Sequence, residues 1–283
     1  MDQRKKLDKS DKIAKLEDIN YVKYTPQAPL SDYVQALWLT RNLDNQGKKA
    51  FQLLSDCGSC VIMNFSDNLI LKRNGTTHKI GHEAVVVGPS KNLFEISFVD
   101  QIYTLGINFQ PGTGHVFLEG GIEPITESIE ICNLHQFNEI HDFYKKIKQH
   151  LCSGTQDSTF KQIEEDLLHF LSQHHFKAQD KFEAILTLLE LNQDNSIELL
   201  SEMSGFSVRD IQRKFKHYVG ISPNVHQRII KLNKVKTQLS RGEYDNLTQL
   251  ALDNGYYDQA HFIREFKYFM NLTPKMYRKQ RFG

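Results

Sequence analysis

A pattern that occurs twice near the C-terminal end constrains the fold of this 283-residue chain more than any other feature. The first copy runs from Phe215 to Pro223 and the second from Phe266 to Pro274, at an offset of 51 residues. Upstream of each copy, apolar and small residues and a glycine recur at an offset of 50. Each copy together with its matching upstream residues has the length of a helix-turn-helix, in which two short helices are joined by a tight turn. The sequence therefore predicts two such units, at about 196–220 and 246–271.

Residues that end and begin helices fall at matching places in the two units. Gly220 supplies the positive φ that ends a helix, and Asn271 replaces it in the second copy. Pro223 and Pro274 each follow a Ser or Thr, which is the pattern of an N-cap and a first helical residue. A connecting helix from Pro223 to Leu239 would be about 25 Å long at 1.5 Å per residue. This length suits two DNA-binding helices held about one DNA turn, about 34 Å, apart.

The formal net charge of +1 conceals an uneven distribution of charge. From Gly205 to Gly283 there are 15 Lys and Arg against 6 Asp and Glu, a balance of +9, and the rest of the chain carries −8. A basic module on an acidic body is typical of proteins that bind a polyanion. A merely solvated basic surface is the alternative, and charge alone does not decide between the two.

The second helix of each unit is expected to have an apolar face and a polar face. At about 100° per residue, the apolar faces contain side chains of the predicted core, namely Ile211, Phe215, Tyr218, Phe262, Phe266 and Phe269. A helix fits the major groove, where Arg can bond guanine and Gln can bond adenine. The predicted base contacts on the polar faces are therefore Arg209, Gln212, Arg213, Gln259, His261 and Arg264. The predicted phosphate contacts, nearer the C-terminal ends, are Lys216 and Lys267.

A single Arg on the outside of a helix is usually only solvated. Arg213 and Arg264, however, occupy equivalent places in repeated units of a basic region, which favours DNA contact. Other outward positions differ between the copies; for example, the position of Arg209 in the first copy is occupied by Ala260 in the second. The two units are therefore expected to bind different half-sequences.

The region from Tyr21 to Gln110 is expected to form strands and turns. Its β-rich runs are Ala36–Thr40, Cys60–Phe65, Leu69–Lys72, Ala84–Val87, Leu93–Phe98 and Ile102–Phe109. A spacing of about ten residues per strand predicts an antiparallel barrel or sandwich. The fold class is thus α+β, with a β-rich N-terminal barrel or sandwich, trailing helices and an all-α C-terminal domain.

Helical periodicity begins after Pro111 and predicts helices over His115–Leu118, Leu134–Leu151 and Phe160–His174. The polar stretch His174 to Asp180 is the expected domain boundary, and a further helix follows to Leu191. The predicted organisation is a polar arm over 1–20, a sensor or dimerisation domain over 21–175 and a DNA-binding domain over 180–283.

The C-terminal region from Phe182 to Tyr277 resembles the AraC/XylS family of transcription regulators. The run Gly255-Tyr-Tyr-Asp-Gln-Ala-His-Phe-Ile-Arg-Glu-Phe-Lys, followed by Asn271-Leu-Thr-Pro and Tyr277-Arg278, matches that family's signature. Asn271 stands in place of the usual Gly, and Tyr256 in place of the usual Phe. The resemblance implies a bacterial regulator whose two units bind adjacent major grooves of promoter DNA, most often to activate transcription with RNA polymerase as partner.

The strand-rich region is similar to the sensor or dimerisation domain of one branch of that family. Residues 106–112, which lead into a helix, contribute to this resemblance. It implies a small-molecule effector or a partner protein as input, and a monomer or homodimer as the assembly.

Cys57 and Cys60 have the spacing of a redox dithiol, which usually lies at a helix N-terminus. Here they precede the strand-like run that ends at Phe65, so a turn with two incidental cysteines is the preferred interpretation. A thiol sensor or thiol enzyme is the alternative. Zinc would need two more ligands, and Cys132 and Cys152 are not spaced as a second pair.

His78 and His82 are interpreted as surface residues rather than as a metal site. No catalytic motif and no cofactor site is predicted. No run of 18 apolar residues is present, and the first twenty residues do not resemble a signal peptide. Together with the four cysteines, these features predict a cytoplasmic protein without a membrane partner. A non-DNA interaction protein that kept the fold is the remaining alternative.

Overall fold

The computed structural model of the protein describes residues 19–42, 47–118, 120–151, 156–173, 180–191 and 196–282. The predicted polar arm over 1–20 lies outside these residues except for its last two. Residues 174–179 of the predicted domain boundary also lie outside them.

Within these ranges, ten strands form two antiparallel sheets that face each other as a sandwich. The strands are β1 (Tyr21–Tyr24), β2 (Val34–Asn42), β3 (Lys48–Leu53), β4 (Cys60–Asn64), β5 (Leu69–Arg73), β6 (Thr76–Ile80), β7 (Ala84–Val87), β8 (Phe94–Val99), β9 (Ile102–Phe109) and β10 (Ile129–Ile131). One sheet has the order β1-β2-β9-β4-β7-β10 and the other β3-β8-β5-β6. Of the two predicted architectures, the structure therefore has the sandwich.

Each of the six predicted β-rich runs falls on a strand, although Phe65 and Leu93 lie one residue outside theirs. The four strands that the sequence did not predict are all at sheet edges. β1 and β10 border the larger sheet, and β3 and β6 border the smaller one. Each contains only one buried side chain or none. A strand at an edge buries little, so its apolar pattern is weak.

Two layers of core surround the larger sheet. Between the sheets, side chains such as Ile62, Leu71 and Ile96 are almost fully buried. The opposite face is covered by α1 (Asn138–Leu151) and α2 (Gln156–Gln173). In the first layer Trp38 lies across Gly106, where any Cβ would overlap the indole ring.

The predicted helices of this region need three corrections. The predicted helix over Leu134–Leu151 begins only at Asn138, because the Asn133 carboxamide accepts from two following backbone N–H groups and forms a turn. The predicted helix at 115–118 is a single 3₁₀ turn, Gly114–Val116. The helix predicted from Phe160 starts one turn earlier, at Gln156.

The C-terminal region is entirely helical in the part that the structure describes. Its helices are α3 (Asp180–Leu191), α4 (Ile197–Ser204), α5 (Val208–Lys214), α6 (Pro223–Arg241), α7 (Leu247–Asp253), α8 (Gln259–Met270) and α9 (Pro274–Phe282). Helices α4 and α5 form the first helix-turn-helix unit, and α7 and α8 form the second. Helix α6 connects the units and is about 28 Å long.

Capping residues mark the helix boundaries of both units, and the predicted helix ends at Gly220 and Asn271 are confirmed. The Ser207 and Asp258 side chains accept from the backbone N–H three residues on, at the starts of α5 and α8. Gly205, Gly220 and Asn271 have φ of 74°, 83° and 54°, the left-handed conformation that ends a helix.

The second helix of the first unit changes character after Lys214. Residues Phe215–Val219 form a π-helical turn, in which the Gly220 N–H donates to the Phe215 carbonyl at 2.9 Å. In the second unit the Asn271 N–H donates to Lys267, only four residues back. The wider turn coincides with a contact to the N-terminal domain that the second unit does not make among the described residues.

Candidate nucleic-acid interface

All eight predicted contact residues lie on the second helices of the two units. We call α5 with its π-helical turn the first recognition helix, and α8 the second. Seven of the eight side chains are exposed and Gln259 is half-buried. The predicted core positions are confirmed as buried, except that Tyr218 is only half-buried. The amphipathic pattern thus places the predicted polar residues at the surface.

The two equivalent arginines are steadied by neighbours on their own helices. The Arg213 guanidinium lies 2.6 Å from the Asp210 carboxylate, and its side chain is 73% exposed. Arg264 Nε donates to the Ala260 carbonyl at 3.3 Å. An exposed ion pair of this kind contributes about 0–1 kcal/mol, so it does not prevent Arg213 from reaching a base.

The start of the second recognition helix is fixed against neighbouring side chains. The Thr248 hydroxyl donates to the Gln259 carboxamide oxygen at 3.4 Å, which joins α7 to α8. The His261 ring packs edge-on against Tyr256, with centroids 5.5 Å apart. Exposed polar groups at this end suit contact with base edges.

Helix α6 holds the second recognition helix through a bidentate ion pair that sequence reasoning missed. Arg228 Nε and Nη2 each donate to a Glu265 carboxylate oxygen at 3.0 Å. Hydrogen bonding to Glu265 raises the pKa of Arg228. The guanidinium also lies over the rings of Tyr268 and Phe269. Two-point geometry with little solvent exposure gives this pair more orienting power than a surface ion pair.

Lys216, a predicted phosphate contact, is paired with the other domain. Its Nζ lies 2.7 Å from an oxygen of the Glu123 carboxylate. No ion pair engages Lys267 in the part of the chain that the structure describes. The two equivalent lysines therefore have different surroundings.

A cavity of about 260 Å³ opens between the two sheets of the sandwich. Its apolar walls include Phe51, Ile62, Phe94, Ile96 and Phe98. Its one guanidinium belongs to Arg73, whose Nη1 donates to the carbonyls of Gly88 and Ser128.

The Arg73 side chain is nearly enclosed, and the residue is 6% exposed. Its Nε has no hydrogen-bond partner among the described residues. Burial lowers the pKa of Arg73. The cavity thus combines apolar walls with one incompletely satisfied cation and the carboxyl group of Asp56.

The turn between β3 and β4 joins this cavity to the DNA-binding region. Its residues Leu54 and Ser55 line the cavity. Leu54 and Cys57 also pack in the core of the helical region. The Ser55 carbonyl accepts from the Asn233 side chain of α6 at 3.0 Å, and the Cys57 thiol lies 3.8 Å from the His226 carbonyl.

The two cysteines of this turn are not arranged for thiolate chemistry. Cys57 is buried with a φ of 71°, and Cys60 is the first residue of β4. Burial raises the pKa of the Cys60 thiol to about 12, whereas a reactive dithiol needs a lowered value. Of His78 and His82, which the sequence placed at the surface, His82 is exposed, and its Nε2 lies 3.0 Å from an oxygen of the Asp67 carboxylate. Cys152 lies outside the described residues.

Two family models match separate parts of the chain. A helix-turn-helix domain matches residues 200–280. A domain of unknown function (DUF6597) matches residues 22–129. The matches fall on the helical region and on the sandwich respectively.

Similar proteins include transcription regulators. An uncharacterized HTH-type transcriptional regulator of Staphylococcus aureus (strain COL) is 26% identical over 169 residues, which cover 56% of this chain and 22% of that protein. The match therefore spans about a fifth of that relative's length. An AraC-type DNA-binding domain-containing regulator from Chromobacterium violaceum is 27% identical and covers 38% of this chain and 96% of its own, with a TM-score of 0.34.

One solved structure has a similar arrangement over most of the chain. ToxT from Vibrio cholerae has a TM-score of 0.51 and 12% identity, and the match covers 89% of this chain and 100% of that one. This similarity concerns the fold, a β-sandwich followed by a helical region. No helix in the described ranges is both long and apolar enough to cross a membrane.

Proposed function

We propose that this chain, whose residues 200–280 match a helix-turn-helix domain, is a sequence-specific DNA-binding regulator of transcription. The proposal includes membership of the AraC/XylS family, which consists of transcription regulators and not of enzymes. The proposed targets are promoter regions, with RNA polymerase as partner and activation as the usual outcome. The proposed assembly is a monomer or homodimer.

The observation that most supports this function is the repeated placement of arginine on the two recognition helices. Arg213 and Arg264 occupy equivalent exposed positions, each on a helix whose opposite face is buried. Helix α6, 19 residues and about 28 Å long, joins the two units, and this length suits two helices that bind DNA about one turn apart. A protein-interaction module would not require two matched cationic helices in a region of charge +9.

Binding to promoter DNA is expected to weaken steeply with salt. If the two units together contact about six phosphates, affinity should fall about 10³-fold between 50 and 200 mM salt, because bound cations are released from DNA. Fluorescence anisotropy with DNA from upstream of the protein's own gene measures this directly. A flat salt response would favour the non-DNA interaction protein.

We further propose that the N-terminal domain receives a small-molecule signal in the sandwich cavity. Its volume of about 260 Å³ is just below the range of about 300–1,000 Å³ for small-molecule sites, so the ligand would be small. Arg73 would bind an acidic or carbonyl group, and the aromatic walls would enclose the remainder. The turn carrying Leu54 and Ser55 would transmit occupancy to α6, because it contacts both.

The Arg73→Met substitution is expected to abolish ligand retention in this cavity. The substitution removes the guanidinium with its unsatisfied donor, and Met replaces it with an unbranched apolar side chain of similar length. Native mass spectrometry of protein purified without denaturation should show a small adduct on the unsubstituted chain and none on the variant.

Arg41→Met, at an exposed site on β2, is the matched control and should keep the adduct. Thermal melting of both variants would identify a loss caused only by unfolding. Retention of the adduct by a folded Arg73→Met variant would place the ligand elsewhere.

A further inference from the structure

A short segment of the N-terminal domain, residues 121–126, contacts the C-terminal end of the first recognition helix. The Ile122 N–H donates to the His217 carbonyl at 2.8 Å, and the Thr126 hydroxyl lies 3.2 Å from the Gly220 carbonyl and donates to it. Carbonyls in the last turn of a helix lack partners within the helix. The segment thus supplies hydrogen bonds that the helix cannot make by itself. We call residues 121–126 the docking segment.

The contact is close on both sides. A Cβ on Gly121 would lie 2.7 Å from the His217 ring, and a Cβ on Gly220 would overlap the Thr126 hydroxyl. Beside the segment, the rings of His115 and Tyr218 pack with centroids 4.8 Å apart. The two surfaces approach this closely because Gly121 and Gly220, which lack a side chain, lie at the points of contact.

The docking segment also brings the carboxylate of Glu123 into an ion pair with Lys216. The Glu123 oxygen lies 2.7 Å from Lys216 Nζ, and the two side chains remain 46% and 69% exposed. A carboxylate, like a phosphate, offers anionic oxygens to an ammonium group. A DNA phosphate arriving at Lys216 would therefore meet the negative charge of Glu123 beside it.

The second unit provides an internal comparison. Lys267 occupies the place equivalent to Lys216, is exposed, and has no carboxylate partner within the described ranges. Its helix is α-helical to Met270, whereas the first recognition helix widens to a π-helical turn where the docking segment contacts it. The asymmetry is therefore confined to the unit that touches the N-terminal domain.

We infer that Glu123 imitates a DNA phosphate and restrains the first unit, so that full DNA contact requires the docking segment to release Lys216. This inference rests on the proposed DNA-binding function. An exposed ion pair is weak, so the restraint can be reversed by DNA or by a change in the N-terminal domain. The second unit would engage DNA first, and the first unit would follow on release.

The test compares wild type with Glu123→Gln, Lys216→Gln and the double variant. The probe is a mixed-sequence duplex of about 40 base pairs, roughly four DNA turns, because phosphate contacts do not depend on sequence. Glu123→Gln should bind about fivefold more tightly, and its log–log salt slope should steepen by about 0.9, the value for one added phosphate contact. Lys216→Gln should bind more weakly than wild type. Adding Glu123→Gln to it should give no gain, because the cation is already absent.

Asp142→Asn is the matched control, since it removes one negative charge from an exposed ion pair within the same domain. If this control gains as much as Glu123→Gln, or if Glu123→Gln binds like wild type, the inference is overturned while the proposed function stands. A gain from Glu123→Gln that persists equally in the Lys216→Gln background also overturns it. Binding by Glu123→Gln where wild type shows none supports it. If neither binds, the inference and the proposed function both fail.

Discussion

The Arg264→Ala substitution is expected to lower affinity for the protein's selected DNA site by about 5- to 150-fold. One bidentate contact between Arg and guanine accounts for about 1–3 kcal/mol of discrimination. Arg264 is exposed on α8, and the hydrogen bond from its Nε to the Ala260 carbonyl is long, at 3.3 Å. Specificity should relax at one base pair while the others are still discriminated. Selection from a random DNA pool, followed by anisotropy with the selected site, measures both effects.

Arg213→Ala should relax a different base pair, because the two units present different neighbouring side chains. Arg241→Ala is the control, since it removes an exposed charge from the same domain at the end of α6, outside both recognition helices. It should reduce affinity for all sequences only slightly. If Arg213→Ala and Arg264→Ala both keep wild-type affinity and preference, the assignment of base contacts is wrong.

The Phe266→Ala substitution is expected to lower the free energy of unfolding of the protein by about 3–5 kcal/mol. Phe266 is fully buried on α8, where its ring contacts Phe262 and Tyr277. Truncation leaves a cavity between α8 and α9, because surrounding helices relax only partly. Chemical denaturation followed by circular dichroism measures the change.

Tyr257→Ala is the control for lost aromatic surface, because Tyr257 is 88% exposed in the same unit. It should change the unfolding free energy by at most about 0.5 kcal/mol. A small loss from Phe266→Ala would mean that this helix does not form the core of the second unit.

Much of the DNA-binding region could be predicted because its signals are local. Helix ends depend on single residues such as Ser207, Gly220 and Asn271, and the buried face follows from a periodicity of 3.6 residues. The strands of the sandwich were harder to predict from the sequence, because its edge strands bury few side chains. The strand β6, for example, reads Thr-Thr-His-Lys-Ile and has only Ile80 buried.

The contacts that distinguish the two units could not be predicted from local pattern. Glu123 and Lys216 are far apart in the sequence, and neither stands in a motif that would link them. Arg228 and Glu265 are each ordinary charged residues on helices until α6 packs against α8. Pairing of this kind depends on the relative placement of whole elements, which periodicity and capping signals do not specify.

The turn carrying Leu54 and Cys57 has a consequence for how such regulators can be recombined. By sequence the turn belongs to the sandwich, but its two apolar side chains complete the core of the helical region. The Cys57 thiol lies beside His226, which is fully buried, and burial lowers the pKa of this imidazole to about 4. A helical region transferred by gene fusion onto an unrelated sensor would lose these side chains and expose apolar surface. The helical region can therefore be transferred only to sensor domains that have a turn with apolar side chains complementary to its core.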